Sequence, residues 1–159
     1  MTFLQLFNCL ILISIISCSG KPSSTTNNMI GNLELAILKQ DIKAVEANIG
    51  EINKELADPN KPGWKPLHLI SSSRENASSK TIIKMLIANK ANLNDQCNIG
   101  YTPLMRAVES KHWQHVEVLI INGAKTDVKN NFGTDVFDIA GKDSKTLKKI
   151  IGNVTKRKK

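Results

Sequence analysis

Aromatic side chains are scarce, at 4% of 159 residues, which argues against a base-stacking surface of the kind single-stranded nucleic acid needs. Cysteine is scarce too. Cys9, Cys18 and Cys97 are the three; their spacings match no zinc ribbon or redox pair, and two lie in an apolar leader, so a disulfide framework is not expected. No phosphate loop, nucleophile elbow, His-Glu-x-x-His helix or dinucleotide fingerprint occurs. These absences predict a protein that is not an enzyme, with no cofactor, no metal and no small-molecule substrate.

Acidic residues fall short of basic ones by enough to give a formal charge of +8, yet the excess is local. Lys142 to Lys159 hold eight of the 22 Lys and Arg against Asp143 alone, which leaves the rest nearly neutral at 14 basic to 13 acidic. Basicity therefore describes one end of the chain and not a nucleic-acid-binding body. The last residues, Lys156-Arg157-Lys158-Lys159, suit either a solubilising end or contact with anionic lipid headgroups.

Residues 1–20 carry no charged side chain and hold the apolar run Leu10-Ile11-Leu12-Ile13 and Ile15-Ile16, ending at Ser17-Cys18-Ser19-Gly20. A membrane-spanning helix wants about 20 apolar residues; this run is shorter and has the proportions of a signal-peptide core, here residues 1–17. Ile15-Ile16-Ser17-Cys18 resembles the lipobox of bacterial lipoproteins, which implies lipidation at Cys18, a membrane anchor of the palmitate type, and an extracytoplasmic place in the bacterial cell envelope. Ordinary cleavage and simple anchoring are the alternatives. Residues 18–29 then form the lipidated cysteine and a tether, since Lys21 to Asn28 are polar and Ser/Thr/Asn-rich.

The most informative pattern is a repeat. Gly63-Trp-Lys-Pro-Leu-His-Leu-Ile, Gly100-Tyr-Thr-Pro-Leu-Met-Arg-Ala and Gly133-Thr-Asp-Val-Phe-Asp-Ile-Ala share one frame. Gly100 suits the positive φ of a tight turn, Thr102 a helix N-cap and Pro103 the first helical position. Leu104, Ala107 and Val108 then recur on one helical face, and Trp113, Val116, Leu119 and Ile120 on a second helix closed by Asn122-Gly123. Such a helix pair leaves apolar faces open, so neighbours must stack. Leu33, Leu35, Ala36, Val45 and Ile49 supply a preceding copy, and Phe137, Ile139, Ala140, Leu147, Ile150 and Ile151 a following one. Four units are expected over 30–153, the first and last as caps, followed by a basic tail at 154–159.

The second unit departs from the frame. Its second helix keeps the 33-residue register through Ile82, Ile83, Leu86 and Ile87, but Leu67 lies 37 residues before Leu104. An insertion is therefore expected in the turn between its helices, around Ser71 to Lys80, as a contact loop or a tolerated surface loop. Lys65 stands in place of the capping threonine, at a cost on the order of 1 kcal/mol, and Lys90 in place of Gly123.

The frame resembles the ankyrin repeat, whose signature is Thr-Pro-Leu-His-x-Ala. The resemblance implies an all-α helical repeat solenoid that binds a protein through its turn tips and the exposed side of each first helix. Carried over by position, the turns offer Trp64, Tyr101, Ile99, Lys129, Asn131 and Phe132, and the helices Ser72, Ser73, Glu109, Ser110 and Lys142. Trp64 and Tyr101 are either interface anchors or packing against the next turn. His68 falls on the motif histidine, which implies a structural hydrogen bond to the neighbouring turn. His112 and His115 are three apart without accompanying ligands, and His115 occupies a place that is apolar (Ile82) in the preceding copy, so a helix-junction role is expected. Asp135 and Asp138 suit capping, and Cys97 a small core position. The function expected is a membrane-tethered scaffold or inhibitor of an unidentified partner protein. The alternative is a structural envelope protein bridging membrane and cell wall through its basic end.

Overall fold

The computed structural model describes residues 31–52 and 63–157; the leader, Cys18, the tether, Lys158 and Lys159 lie outside them. Helices run α1 Asn32–Lys39, α2 Ile42–Ala47, α3 Pro66–Ser72, α4 Ala77–Ala88, α5 Pro103–Glu109, α6 Trp113–Ile121, α7 Val136–Ala140 and α8 Ser144–Arg157, with single 3-10 turns at Ile49–Glu51 and Gly141–Asp143. No strand occurs among the described residues. The helices form two rows. Inner helices stack in the order α1, α3, α5, α7 and outer helices in the order α2, α4, α6, α8, so each unit packs on the next along a line. This is the all-α repeat solenoid that the 33-residue period requires.

Sequence explains how each helix starts and stops. Thr102 Oγ1 accepts from the Met105 N–H (3.2 Å) and Pro103 follows at the first helical position. Asp135 accepts from the N–H groups of Phe137 (2.8 Å) and Asp138 (3.1 Å), while the Asp138 carboxylate accepts from the Asp135 N–H; the two carboxylates close a capping box. Lys65 makes no side-chain cap on α3. His68 Nδ1 accepts the Lys65 N–H (3.1 Å), the half of the capping box that needs no side chain at position 65. Two outer helices are followed by a residue of positive φ, Gly123 at φ 97° after α6 and Lys90 at φ 68° after α4.

The core is one continuous band. Ile37, Leu67, Ile70, Ile82, Ile83, Leu86, Leu104, Leu119 and Leu147, drawn from every unit, are each at most 1% exposed. In α1 the buried stripe is Leu33, Ala36 and Ile37 at i, i+3, i+4. Leu35, expected in the core, lies off that stripe and is 41% exposed: the apolar run is wider than the face that the next unit covers.

Two further expectations are corrected. The insertion in the second unit is not a free loop: α4 is 12 residues long against nine in α6, so most of the surplus becomes an added turn at the start of the outer helix. Asn76 caps it, its Oδ1 accepting from the Ser79 N–H (2.9 Å). The short loop before it is held from both sides. Gln40 Nε2 donates to Arg74 O (2.9 Å) and Asn76 Nδ2 to Gln40 Oε1, while Glu75 Oε1 accepts from the Gln114 N–H (3.1 Å). At the other end, α8 continues past Asn153 to Arg157, with Val154 buried and Arg157 paired to Glu117 at 2.7 Å. The boundary expected at 153 falls inside this helix.

Candidate binding face

The turns between units are built alike and stacked. In the first, Cys97 N–H donates to Tyr101 O (3.0 Å) and Gly100 N–H to Cys97 O (2.7 Å); in the next, Asn130 N–H donates to Thr134 O (2.9 Å) and Gly133 N–H to Asn130 O (3.0 Å). Cross-links join them: Asn131 N–H to Ile99 O (3.2 Å), Asn131 Nδ2 to Asn98 O (2.9 Å), Gln96 Nε2 to Lys129 O (2.9 Å) and Lys125 N–H to Asn94 Oδ1 (2.8 Å). Approach is close. A Cβ on Gly100, at φ 79°, would stand 2.6 Å from Asn131 N, and one on Gly63, at φ 73°, 2.6 Å from Asn98 N. Glycine is needed at both places because of contact with the following turn as well as conformation.

On this stiff support the tips present Ile99 and Phe132, 33 residues apart, at 39% and 73% exposure. Phe132 is the most exposed large apolar side chain among the described residues. Lys129 is exposed beside it. Asn131 is exposed as well, but its amide is engaged with the preceding turn, which makes it a spacer of tips.

Trp64 and Tyr101 do not project freely. The Arg106 guanidinium lies between their rings, 4.5 Å from one centroid and 4.4 Å from the other, and both rings pack partly buried against the core. Arg106 also donates to Glu109 Oε2 (2.9 Å) and to Cys97 Sγ (3.8 Å). Partial burial raises the Tyr101 phenol, with the Glu109 charge adding to the effect. The pair is thus a packed stack that joins adjacent turns, and Arg106, absent from the sequence-based candidates, is its centre. A signal was present: Arg106 replaces Leu69 at the equivalent place, and a cation where an apolar side chain stood needs a partner.

The inner-helix candidates divide. Ser72 and Ser73 donate to Leu69 O (3.0 and 2.7 Å), so their hydroxyls are engaged with their own helix. Glu109 and Lys142 are exposed, and Ser110 is half-buried at the end of α5. Sequence reasoning missed Leu38, 48% exposed, which with Leu35 presents an apolar surface on the corresponding side of the first unit.

The histidines are structural. His68 is fully buried; its Nε2–H is shared between Asp95 O (3.1 Å) and Tyr101 O (3.0 Å), and Nδ1 accepts from Lys65, so the ring is neutral with its proton on Nε2. His115 is equally buried. Its Nδ1 faces Ser71 O (3.2 Å) and must donate, so Nε2 accepts the Ser79 hydroxyl proton (2.7 Å), linking α4 and α6. His112 stands edge-on at 5.2 Å, and its Nδ1 also faces Ser71 O (3.4 Å). Burial lowers the pKa of both His68 and His115 below 6.5. Among the described residues no His, Cys, Asp and Glu group of three or more could hold a metal ion, and no helix is long and apolar enough to cross a membrane.

Comparison with known proteins agrees with this geometry. The family model described as ankyrin repeats in three copies matches residues 33–130. A putative ankyrin repeat protein of Rickettsia felis is 32% identical over 139 residues, covering 74% of this chain and 36% of that protein. The chain therefore spans about a third of the length of this curated relative.

Proposed function

The chain belongs to the ankyrin-repeat family, and from that premise we propose that it is a protein-binding module held by a lipid on Cys18 at the outer side of a bacterial membrane, acting there as a scaffold or inhibitor of a partner protein. The observation that carries the binding reading is the pair of apolar tips. Ile99 and Phe132 are exposed at successive places on turns locked together by hydrogen bonds. Side chains presented on a rigid support lose little entropy on association, and a large aromatic anchor contributes more than its share of binding energy. Leu35 and Leu38 extend apolar surface along the inner row. The anchor reading is supported by the uncharged leader and by Cys18 directly before a polar stretch.

A photo-crosslinking residue at position 132 or 99 is expected to capture the partner in intact cells, and the same residue at Ile121, an exposed apolar site on the outer row, is not. Capture only from position 121 would move the binding surface to the outer helices. For the anchor, metabolic labelling with palmitate is expected in the wild type and absent in Cys18→Ser; equal labelling would remove lipidation at this residue.

A further inference from the structure

The last helix organises the charge that the sequence concentrates at this end. α8 contains no acidic residue across Ser144–Arg157. It buries Leu147 and Val154, with Ile150 and Ile151 partly covered against the core. At about 100° per residue, Lys145, Lys149 and Lys156 fall on the side opposite that stripe, with Lys148 at its margin. All four are exposed. Nearby carboxylates are engaged elsewhere: Asp143 with Lys111 at 2.8 Å, Glu117 with Arg157 at 2.7 Å, and Asp138 with the Asp135 N–H. Among the described residues the four lysines form no ion pair.

We propose that this lysine face of α8 docks on the anionic headgroups of a lipid bilayer. The partner follows from the chemistry of the face. Lysines offer compact point charges without the fixed fork by which arginine selects a particular carboxylate or phosphate. The helix carries no aromatic residue on which a base could stack, which disfavours a nucleic-acid strand. A line of ammonium groups along a helix of about 21 Å fits a fluid array of headgroups, each of which can move to meet a charge. The contact is peripheral, because the apolar stripe of α8 is already used against α6 and the core. It is independent of the partner-binding tips and of acylation at Cys18.

The test uses the full chain with Cys18→Ser, partitioned onto phosphatidylcholine vesicles with and without phosphatidylglycerol. Residues 1–20 carry no charged side chain, so the leader's apolar contribution is shared by both vesicles, its one terminal amine is common to all variants, and the change in the anionic-to-neutral ratio between variants isolates the lysines. The triple Lys145→Gln/Lys149→Gln/Lys156→Gln is expected to lower that ratio on the order of a hundred-fold, about five-fold per lysine. A control triple of exposed lysines elsewhere, Lys39→Gln/Lys84→Gln/Lys125→Gln, is expected to change it much less. Glutamine keeps helix propensity close to lysine; should the lysine-face triple lose helical circular dichroism, single variants at 145 and 149 read the same ratio. Equal losses in the two triples would reduce the effect to net charge and overturn the proposal. A wild-type ratio near one would do the same, as would tighter binding of a single-stranded oligonucleotide through the same lysines.

Discussion

Arg106, placed between Trp64 and Tyr101, decides what those two rings are for. A cation over an aromatic face contributes about 0.5–2 kcal/mol, more as water is excluded, and both rings also cover core side chains. Trp64→Ala and Tyr101→Ala are therefore expected to cost about 1–3 kcal/mol each in urea unfolding. A double-mutant cycle of Tyr101 with Arg106 should show a coupling of about 0.5–1 kcal/mol, and additive effects would dissolve the stack as an energetic unit. The sequence displayed two aromatics in matching places but not their surroundings, since the residue that separates anchor from packing is contributed by the following inner helix. The histidines were more legible, because motif position and apolar register both pointed inward. Their folded pKa values lie below the unfolded 6.5, so the stability they confer is present above that value and is lost as pH falls through the folded values. Protonating His68 would set Nδ1–H against the Lys65 N–H, two donors facing each other. A second proton on His115 finds Ser79 Oγ, which can turn its own hydrogen to Asn76 O at 2.9 Å. Below pH 6.5 the loss of stability should thus be flattened more by His68→Gln than by His115→Gln, read from urea midpoints across pH; the reverse order would refute this hydrogen-bond assignment.

At the scale of the element, capping was readable and length was not. Thr102-Pro103, Asp135 with Asp138, and Gly123 each end or begin a helix where their chemistry requires. Lys90 performs the task of Gly123 at φ 68°, a conformation that costs a non-glycine residue about 1–2 kcal/mol. Lys90→Gly relieves that strain while loosening the unfolded chain, and a net gain of about 0.5–1 kcal/mol is expected from thermal or urea melts; a loss would mean that the lysine side chain holds the turn. What periodicity could not convey was how surplus residues are spent. Four extra positions in the second unit read as a loop, yet Asn76 and Ser79 form a reciprocal cap that lets the outer helix begin a turn earlier. Leu35 misled because adjacent apolar residues in a short helix satisfy several stripes at once, and only the position of the next unit selects one.

For the whole molecule, contacts run from unit to unit along two rows, so stability is a sum of unit and junction contributions and loss at an end is local. Hydrogen exchange is expected to be slowest in α3 to α6, which are covered on both sides, and faster in α1 and α2; uniform protection would indicate a single cooperative core instead. The fourth unit lies beyond the matched 33–130, and its long α8 packs Leu147 and Val154 beneath an exposed polar side. Ending the chain at Asn153 removes buried Val154 and the Arg157–Glu117 pair, and an exchange increase confined to α7, α8 and the exposed flank of α6 should follow. The stacked architecture was legible because a 33-residue period admits few other solutions, whereas the path of the fourth unit was not, since its first helix has five residues against seven in α5 and the register no longer fixes what comes after it. The hydrogen bonds that join Gln40 with Arg74 and Asn76, and Glu75 with Gln114, have a mechanical effect. They strap three consecutive units across their shoulders, so the rod cannot bend evenly like a spring. The junction between α5–α6 and α7–α8 is tied differently, by the ion pairs Lys111–Asp143 and Glu117–Arg157, so resistance to flexing there should soften with added salt while the shoulder straps hold.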